Sequence, residues 1–565
     1  MRRGPISNDN RPERGFSLRV LLSRMQVPTS SQLNTVPCLL FRIFSVHVKK
    51  MAMMFTTKIY PRSHENHMHG NDKAAKPIRK AFMKGALLNF LLLQLLFLGL
   101  FAFIFGALFQ QNRHIHNLSV LYIDYDGGLV GQSIREAYKS LEGDTFPTLL
   151  EEPASRHPVD GLKEEICKAR YWAALYTSPG ASARLEAALS DSVSTYNRSD
   201  VLTFIWNEAR YSATVDSAIA GNLQTLSSTS RVIYSTSNKT IQSLSPSRQA
   251  SVSVFANPWK LSDINIQPTT QGSRLIYNTL VIILILIQEF FYLGTINGLY
   301  AQFKIYTKFC PHRIIIFRNV LSLAYTFVGS LCVTGAIWAF RAGWNVNSNQ
   351  YGLTWATLWL FAHANFLALD VFTIWLPHSY VPMALITWIV FNVTSILLPF
   401  ELSAGFYKWT YAMPAHEVYQ ILTDIWSGGC NPQLYYALPT LFTWEVLGVA
   451  LSALGVYRRC HYAVLGEEAA ERAFNDRIDA AMDHERKRDA ELRALKGQDT
   501  SEPSLKKEGE GERVEQDIEN GEREREEFAK IISRENEKER DLKRTKTCGF
   551  GPSFDLTYRQ DSDSS

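Results

Sequence analysis

Six segments of the chain are long, apolar and almost free of charge. They cover residues 85–109, 275–299, 319–340, 353–376, 380–400 and 438–457. A helix needs about 20 apolar residues to cross the hydrocarbon core of a bilayer, and each segment has about that length. A core helix of a soluble protein would show a polar face, and the first segment shows none along its length. The pattern therefore predicts six transmembrane helices.

Basic residues flank these segments on one side of the membrane. They lie before the first segment, between the second and third, and after the sixth: Lys73, Lys76, Arg79, Lys80, Lys84, Lys304, Lys308, Arg313, Arg318, Arg458 and Arg459. Cytosolic loops carry an excess of Lys and Arg. With six crossings, all three clusters fall on the cytosolic side. Both termini are thus predicted to be cytosolic, and residues 110–274 and 401–437 to face outward.

Glycosylation sequons agree with this orientation. Three lie in the outward segment 110–274, at Asn117, Asn197 and Asn238. Such sequons are glycosylated on surface loops of secreted proteins. A fourth sequon, at Asn392, falls inside the fifth apolar segment and is predicted to be unused. We therefore expect residues 110–274 to be extracytosolic and glycosylated.

Strand and helix patterns alternate within this outward segment. SVLYIDY at 119–125, RYWAALYTS at 170–178 and VLTFIWN at 201–207 are typical of strands, with helical stretches between them. A structureless loop of this length would be unusual, and the alternation indicates an α/β domain. Residues 235–270, rich in Ser, Pro and Asn, are expected to return to the membrane as an extended segment. The predicted fold is an α-helical polytopic membrane protein with six transmembrane helices and an α/β extracytosolic domain inserted between helices 1 and 2.

The net charge of +5 over 565 residues conceals two oppositely charged ends. Residues 1–84 hold sixteen basic and four acidic residues, and residues 466–546 hold 19 basic and 25 acidic residues. We predict a basic, disordered cytosolic tail at 1–84 and a charged cytosolic tail at 458–565. Alternatives for the start are a mitochondrial presequence or a true initiation site at Met51 or Met53. A coiled-coil surface is the alternative for the final tail.

Motifs that would indicate an enzyme are absent from the sequence. It contains no phosphate-binding loop, dinucleotide-binding glycine motif, G-x-S-x-G sequence or Cys/His metal spacing. The mixed charge of the tail does not suggest nucleic-acid binding. We therefore predict no enzymatic activity, no cofactor, no metal and no nucleic-acid partner. Transport driven by ATP would need a separate ATPase subunit.

Four ionisable residues within the apolar segments are the strongest chemical signal: Glu289, His363, Asp370 and Glu445. Each would be costly at the centre of a bilayer, and such residues mark polar paths or proton relays. His363 and Asp370 are two helical turns apart and share one helix face. The alternative interpretation is a set of polar contacts between helices. Both interpretations remain open at this stage.

Two cysteines face outward in the predicted topology. Cys167 lies in segment 110–274 and Cys430 in segment 401–437. An oxidising compartment would allow a disulfide between them, and free thiols are the alternative. The segment 401–437 is also rich in aromatic residues of interfacial type. It is predicted to form short helices at the outer leaflet that contact lipid or an amphipathic substrate, or else simply to pack.

Several stretches, in this order, resemble a known family. They are VLYIDYDGG at 120–128, RYWAALYTSPGASARLEAAL at 170–189, IWNEAR at 205–210, QEFFYLGTINGLY at 288–300, WATLWLFAHANFLALD at 355–370, FYKWTYAMPAHEVYQIL at 406–422 and GCNPQLYYALPTLFTWEVLG at 429–448. Over residues 85–460 the chain resembles the fungal nitrosoguanidine-resistance membrane proteins, which are related to type-2 ABC-transporter permeases. The resemblance implies a fungal plasma-membrane protein linked to resistance to toxic alkylating compounds. It implies no catalytic residues.

Three functions compete on this basis. The first is a permease-like protein that exports or helps exclude toxic small molecules, or that handles lipids. The second is a non-transporting membrane regulator or scaffold that acts through its charged tail. The third is an ion-coupled transporter that uses Glu289, His363 and Asp370. The expected partners are membrane lipids, with a homodimer and a separate ATPase subunit as permeases of this type would require.

Overall fold

The computed structural model describes residue 73 and residues 75–190, 195–268, 280–341, 346–377, 380–496, 523 and 525–534. The predictions for residues 1–72, and for most of the tail beyond residue 496, lie outside these described residues. The chain divides into two compact units, residues 1–93 and 94–565. The contacts that build the sites lie within the second unit.

The first helix is followed by a mixed run of strands and short helices. The elements are α1 (Ala75–Ala107), β1 (Ser119–Asp124), α2 (Leu129–Leu141), β2 (Thr148–Glu151), α3 (Leu162–Cys167), β3 (Ala173–Thr177), α4 (Ala181–Leu189), β4 (Leu202–Trp206), α5 (Ser212–Val215), α6 (Asn222–Thr236), α7 (Asn238–Ser243), α8 (Gln249–Ala256) and β5 (Leu261–Asn265). The predicted strands at 119–125, 170–178 and 201–207 contain β1, β3 and β4 respectively.

These strands form one five-stranded sheet in the order β2-β1-β3-β4-β5. β1 pairs in parallel with β2 and β3, and β4 pairs in parallel with β5, whereas β3 and β4 are antiparallel. Every residue of β3 and β4 is buried. Strands covered on both faces carry continuous apolar runs, which explains why AALYT and LTFIW are so apolar. We refer to residues 111–265 as the sheet domain.

The expected extended return at residues 235–270 is wrong. This stretch contains α7, α8 and the edge strand β5, which pairs with β4 from Leu202↔Leu261 to Trp206↔Asn265. The sequence of β5, LSDIN, is half polar because an edge strand leaves part of its surface in solvent. Its polarity therefore concealed a strand.

Long apolar helices follow the sheet domain. They are α9 (Val281–Gln302), the short α10 (Ile305–Lys308), α11 (Pro311–Ala339), α12 (Ser348–Trp375), α13 (Val381–Leu397), α14 (Pro414–Trp426) and α15 (Leu434–Lys496). Among the described residues, five helices are long and apolar enough to cross a membrane: α1, α9, α11, α12 and α15. The fifth predicted segment forms α13, which has only 17 residues. Pro399 ends it, since the residue before a proline is restricted to extended conformations.

Helix α12 packs against α9, α11, α14 and α15 and occupies the middle of the helical bundle. Its contact with α15 is close because that helix presents glycines. A Cβ atom on Gly448 would lie 2.7 Å from the Cβ of Leu367, and one on Gly455 would meet Ile374. Small residues at such positions allow membrane helices to approach closely. The two glycines are seven residues apart, about two helical turns, so both lie on the same face of α15.

The sheet domain is fastened to the bundle at several points. Cys167, at the end of α3, forms a disulfide with Cys430, which follows α14, with an S–S distance of 2.06 Å. The Asn207 amide donates to the Cys430 carbonyl oxygen at 3.2 Å. The Tyr211 backbone N–H donates to the Tyr419 hydroxyl at 2.8 Å. One hydrophobic core runs through both parts, so the sheet domain and the bundle share a continuous interior.

Candidate functional site: a buried charge network and a junction cavity

A three-residue ion cluster, the Asp370 cluster, lies inside the bundle. Asp370 on α12 accepts from Arg318 on α11, at 2.5 Å from Nη2, and from Arg459 on α15, at 3.0 Å from Nη2. The exposed side-chain fractions are 0% for Asp370, 2% for Arg318 and 6% for Arg459. The Ser452 hydroxyl donates to the second carboxylate oxygen at 2.7 Å. A buried charge without such partners would be strongly destabilising.

Neutral oxygen atoms complete the coordination of the two guanidinium groups. Arg318 donates to the Asn297 side-chain oxygen on α9 at 2.7 Å and to the Tyr306 hydroxyl on α10 at 3.3 Å. Arg459 donates to Tyr306 at 3.1 Å and to the Thr373 hydroxyl at 2.7 Å. The cluster carries one net positive charge, and these acceptors stabilise it. It ties together α9, α10, α11, α12 and α15.

Arg318 and Arg459, which the sequence places among the basic residues flanking the apolar segments, are buried. Arg318 lies within α11, and Arg459 lies within a helix that continues from Leu434 to Lys496 without a break. Both arginines sit at the ends of apolar segments, where flanking cations normally reach the interface. The signal that could have located them is Asp370, because an intramembrane carboxylate requires a cationic partner.

His363, on α12 like Asp370, makes a second set of contacts with α11 and α15. Its Nδ1 lies 2.5 Å from a carboxylate oxygen of Glu445 on α15, and its Nε2 lies 3.0 Å from the hydroxyl of Ser322 on α11. The second carboxylate oxygen of Glu445 has no hydrogen-bond partner among the described residues. Ser322, His363 and Glu445 thus form a hydrogen-bonded chain across α11, α12 and α15.

Glu289 stands apart from both groups. Its side chain is completely buried in α9, and neither carboxylate oxygen has a hydrogen-bond partner among the described residues. The structure therefore pairs His363 with Glu445, pairs Asp370 with two arginines and leaves Glu289 unpaired. Asp370 makes contacts between helices, as the second interpretation of these residues predicted. A relay through all four residues stays a prediction.

A cavity of about 70 Å³ lies between the sheet domain and the bundle. We call it the junction cavity. Arg210 and Tyr211 enter it from the segment after β4, Glu401 and Tyr411 from the chain between α13 and α14, and His416 from α14. The Arg210 guanidinium stacks 4.3 Å from the ring centroid of Trp172, which also lines the cavity. Sequence reasoning missed this site, because its walls come from segments about 200 residues apart.

The outer segment 401–437 differs in part from its predicted form. It contains the short helix α14 and a 3₁₀-helix at Gly405–Ala412. Most side chains of α14 are buried in the bundle, so this helix packs and does not lie on a surface. Phe406, Trp409 and Tyr411 of the 3₁₀-helix are exposed. Aromatic residues in such positions suit a membrane interface.

The predicted glycosylation sites have different surroundings. Asn117, Asn197 and Asn238 are all exposed, and the Asn117 amide donates to the Glu401 carbonyl oxygen at 2.9 Å. Asn392, which was expected to be unused, is completely buried. Its side-chain oxygen accepts from the Ala415 backbone N–H at 3.1 Å. Among the described residues, no group of three or more His, Cys, Asp or Glu side chains is arranged to hold a metal ion.

The long apolar helices and their buried charged contacts define an integral membrane protein. The chain belongs to the family described as Protein of unknown function (DUF3533), whose model matches residues 89–450. It is also similar to an uncharacterized endoplasmic reticulum membrane protein of Saccharomyces cerevisiae, with 20% identity over 380 residues. That alignment covers 61% of this chain and 73% of the yeast protein. Neither description assigns an activity.

Proposed function

We propose that this protein is a permease-like membrane protein that moves, or helps exclude, amphipathic toxic compounds or lipids. The observation that carries the proposal is Glu289, a completely buried carboxyl group without a hydrogen-bond partner among the described residues. Burying such a group is costly unless it takes up a proton or pairs with a cation. Ionisable residues of this kind within membrane helices line substrate or proton pathways.

The layout of the chain supports the same proposal. One long helix, a sheet domain and then further helices follow one another along the sequence, as in the type-2 ABC-transporter permeases that the chain resembles. On this proposal α13 completes six crossings, and the termini and α10 are cytosolic. A homodimer and a separate ATPase subunit are the partners we would expect, with lipids around the helices.

Two membranes are candidates for its location. The resemblance to resistance proteins favours the plasma membrane, whereas the yeast relative is described as an endoplasmic reticulum membrane protein. Helix α13 has 17 residues, which at about 1.5 Å each span about 25 Å. The endoplasmic reticulum has a hydrocarbon core of about 27 Å, thinner than the plasma membrane. We therefore favour the endoplasmic reticulum, and imaging of a tagged protein with markers for both membranes decides between them.

Reconstitution tests the transport function. Purified full-length protein would be placed in liposomes, and the flux of amphipathic cations and of a fluorescent phospholipid would be measured with and without a proton gradient and ATP. We expect flux that falls in Glu289→Gln, while Glu467→Gln, which changes an exposed carboxylate on α15, keeps the wild-type rate. The absence of flux under every condition would overturn the proposal, and so would equal flux in both variants.

A regulator or scaffold is the second candidate function. Helix α15 supports this alternative, because it continues to Lys496 well beyond the most apolar part of its sequence, and the side chains at 466–488 are mostly exposed. A charged helix of this kind offers a surface to a cytosolic partner. Truncation after residue 465 distinguishes the two functions: a scaffold loses its cellular activity, and a permease retains it.

A further inference from the structure

The junction cavity is lined by polar atoms that have no partner within the protein. The Tyr211 hydroxyl and the Nε2 atom of His416 are buried and make no hydrogen bond to any described residue. Both residues line the cavity. Buried polar atoms are almost always paired with protein, water or a ligand. Two such atoms in one cavity therefore point to an occupant that supplies the missing contacts.

One side of the cavity donates hydrogen bonds. Among the described residues, Arg210 donates one hydrogen bond, to the Tyr171 carbonyl oxygen at 3.3 Å. Its plane stacks on Trp172, so the remaining N–H groups are held in a fixed orientation. Burial lowers the pKa of Arg210, and the nearby Glu401 carboxylate offsets only part of this effect, so a further anionic group would compensate for lost hydration. This side suits a carboxylate or phosphate oxygen.

Two other lining groups, on His416 and Glu401, accept hydrogen bonds. His416 Nδ1 lies 3.3 Å from the Ser395 carbonyl oxygen, which can only accept, so Nδ1 carries the proton. Burial lowers the pKa of His416 to about 4, so the ring is neutral near pH 7. Its Nε2 atom is then a bare acceptor. The Glu401 carboxylate, which also lines the cavity, adds a second acceptor with a negative charge.

Aromatic rings lie next to the His416 acceptor. The His416 ring centroid lies 4.7 Å from that of Tyr411 and 4.9 Å from that of Phe400. The faces of aromatic rings attract cations, and the attraction grows when the site is desolvated. An ammonium group that donates to His416 and Glu401 would therefore also gain from the adjacent rings.

The size of the cavity limits the occupant. Its volume is about 70 Å³, and one water-sized group requires about 10–15 Å³ of such volume. The cavity therefore holds about five to seven non-hydrogen atoms. Glycine fits this range, whereas a whole phosphoethanolamine group slightly exceeds it, so part of its phosphate would extend out of the cavity. A trimethylammonium group carries no N–H and cannot donate a hydrogen bond to His416 or Glu401.

We propose that the junction cavity binds a small zwitterion, in which a primary ammonium group is joined by a short linker to a carboxylate or phosphate. The anionic group contacts Arg210 and Tyr211, and the ammonium group contacts His416 and Glu401. Such a ligand comes either from a free amino-acid-like solute or from the headgroup of an ethanolamine phospholipid. The proposal holds whether or not the protein transports anything.

Binding to purified full-length protein tests the proposal. Glycine, phosphoethanolamine and phosphocholine would each be titrated by calorimetry, and thermal stability would be compared in nanodiscs with and without phosphatidylethanolamine. We expect phosphoethanolamine to bind at least about tenfold more tightly than phosphocholine, because phosphocholine leaves the His416 acceptor unpaired. Binding of glycine indicates a solute. Binding of phosphoethanolamine, together with stabilisation by phosphatidylethanolamine but without glycine binding, indicates a lipid headgroup.

Variants assign the binding to this cavity. Glu401→Gln changes an exposed side chain and should leave the fold intact, and Arg210→Gln removes the donor side. Each should weaken binding by about tenfold or more, whereas Lys408→Gln, which removes a charge from the same segment outside the cavity, should not. If Arg210→Gln fails to fold, Glu401→Gln alone decides. The proposal is overturned if neither zwitterion binds, if phosphocholine binds as tightly as phosphoethanolamine, or if Glu401→Gln binds like wild type.

Discussion

Replacing Asp370 by Asn would leave two buried arginines without a counter-charge. The Asp370 cluster carries one net positive charge, so Asp370→Asn raises the buried charge to two, whereas Arg459→Gln lowers it to zero. Removing one partner of a buried ion pair costs about 3–5 kcal/mol, and we place Asp370→Asn at the upper end of that range. Arg459→Gln keeps the 2.5 Å contact between Arg318 and Asp370. It loses mainly hydrogen bonds, which should lower the free energy of unfolding by about 1–3 kcal/mol.

Thermal unfolding in detergent, monitored by tryptophan fluorescence, measures which of the two variants is less stable. A loss of about 3–5 kcal/mol corresponds to a fall in Tm of about 6–20 °C for a bundle of this size. Glu467→Gln is the matched control, because it breaks an exposed ion pair with Lys304 of 3.0 Å, and such pairs contribute less than about 1 kcal/mol. The reasoning is refuted if Arg459→Gln destabilises as much as Asp370→Asn, or if Asp370→Asn behaves like the control.

Three further predictions follow from the same structure. Cys167→Ser or Cys430→Ser should abolish a mobility difference between reduced and non-reduced gels and lower stability by about 2–5 kcal/mol; an unchanged non-reduced mobility would contradict the disulfide. Gly448→Ala should cost about 1–3 kcal/mol through overpacking against α12, whereas Gly335→Ala, with open space around it, should cost nothing in the same unfolding assay. Burial raises the pKa of Glu417 to about 8, so stability falls as pH rises towards 8, because the unfolded state loses the proton first; in Glu417→Gln the fall in Tm between pH 6.5 and 8 should be reduced.

The sequence was sufficient to locate the apolar helices and the central strands. Continuous apolar runs mark α1, α9, α11, α12 and α15. The buried strands β3 and β4 are also apolar throughout most of their length. In each case the composition of the segment predicts that it is buried or membrane-spanning. The edge strand β5 was missed because three of its five residues, in the sequence LSDIN, are polar. The length of α13 was overestimated because the apolar run continues to Phe400, whereas the helix ends at Leu397.

The candidate sites were less accessible to sequence reasoning. Glu289, His363, Asp370 and Glu445 were recognised because charge in an apolar run is conspicuous. Their partners were not, since an arginine at the end of an apolar run looks like an ordinary flanking cation. The junction cavity depends on the arrangement of β4 relative to α14. No local pattern reports a contact between segments so distant in the chain.

The disulfide has a consequence for the order in which the protein is made. Cys167 and Cys430 are 263 residues apart, and ribosomes add about 5–20 residues per second. Cys167 therefore waits about 13–53 s, by the same rates, before its partner has been synthesised. During that interval its thiol is available to any other oxidisable cysteine nearby. Correct pairing thus requires the Cys167 thiol to stay reduced until the intervening helices have been synthesised.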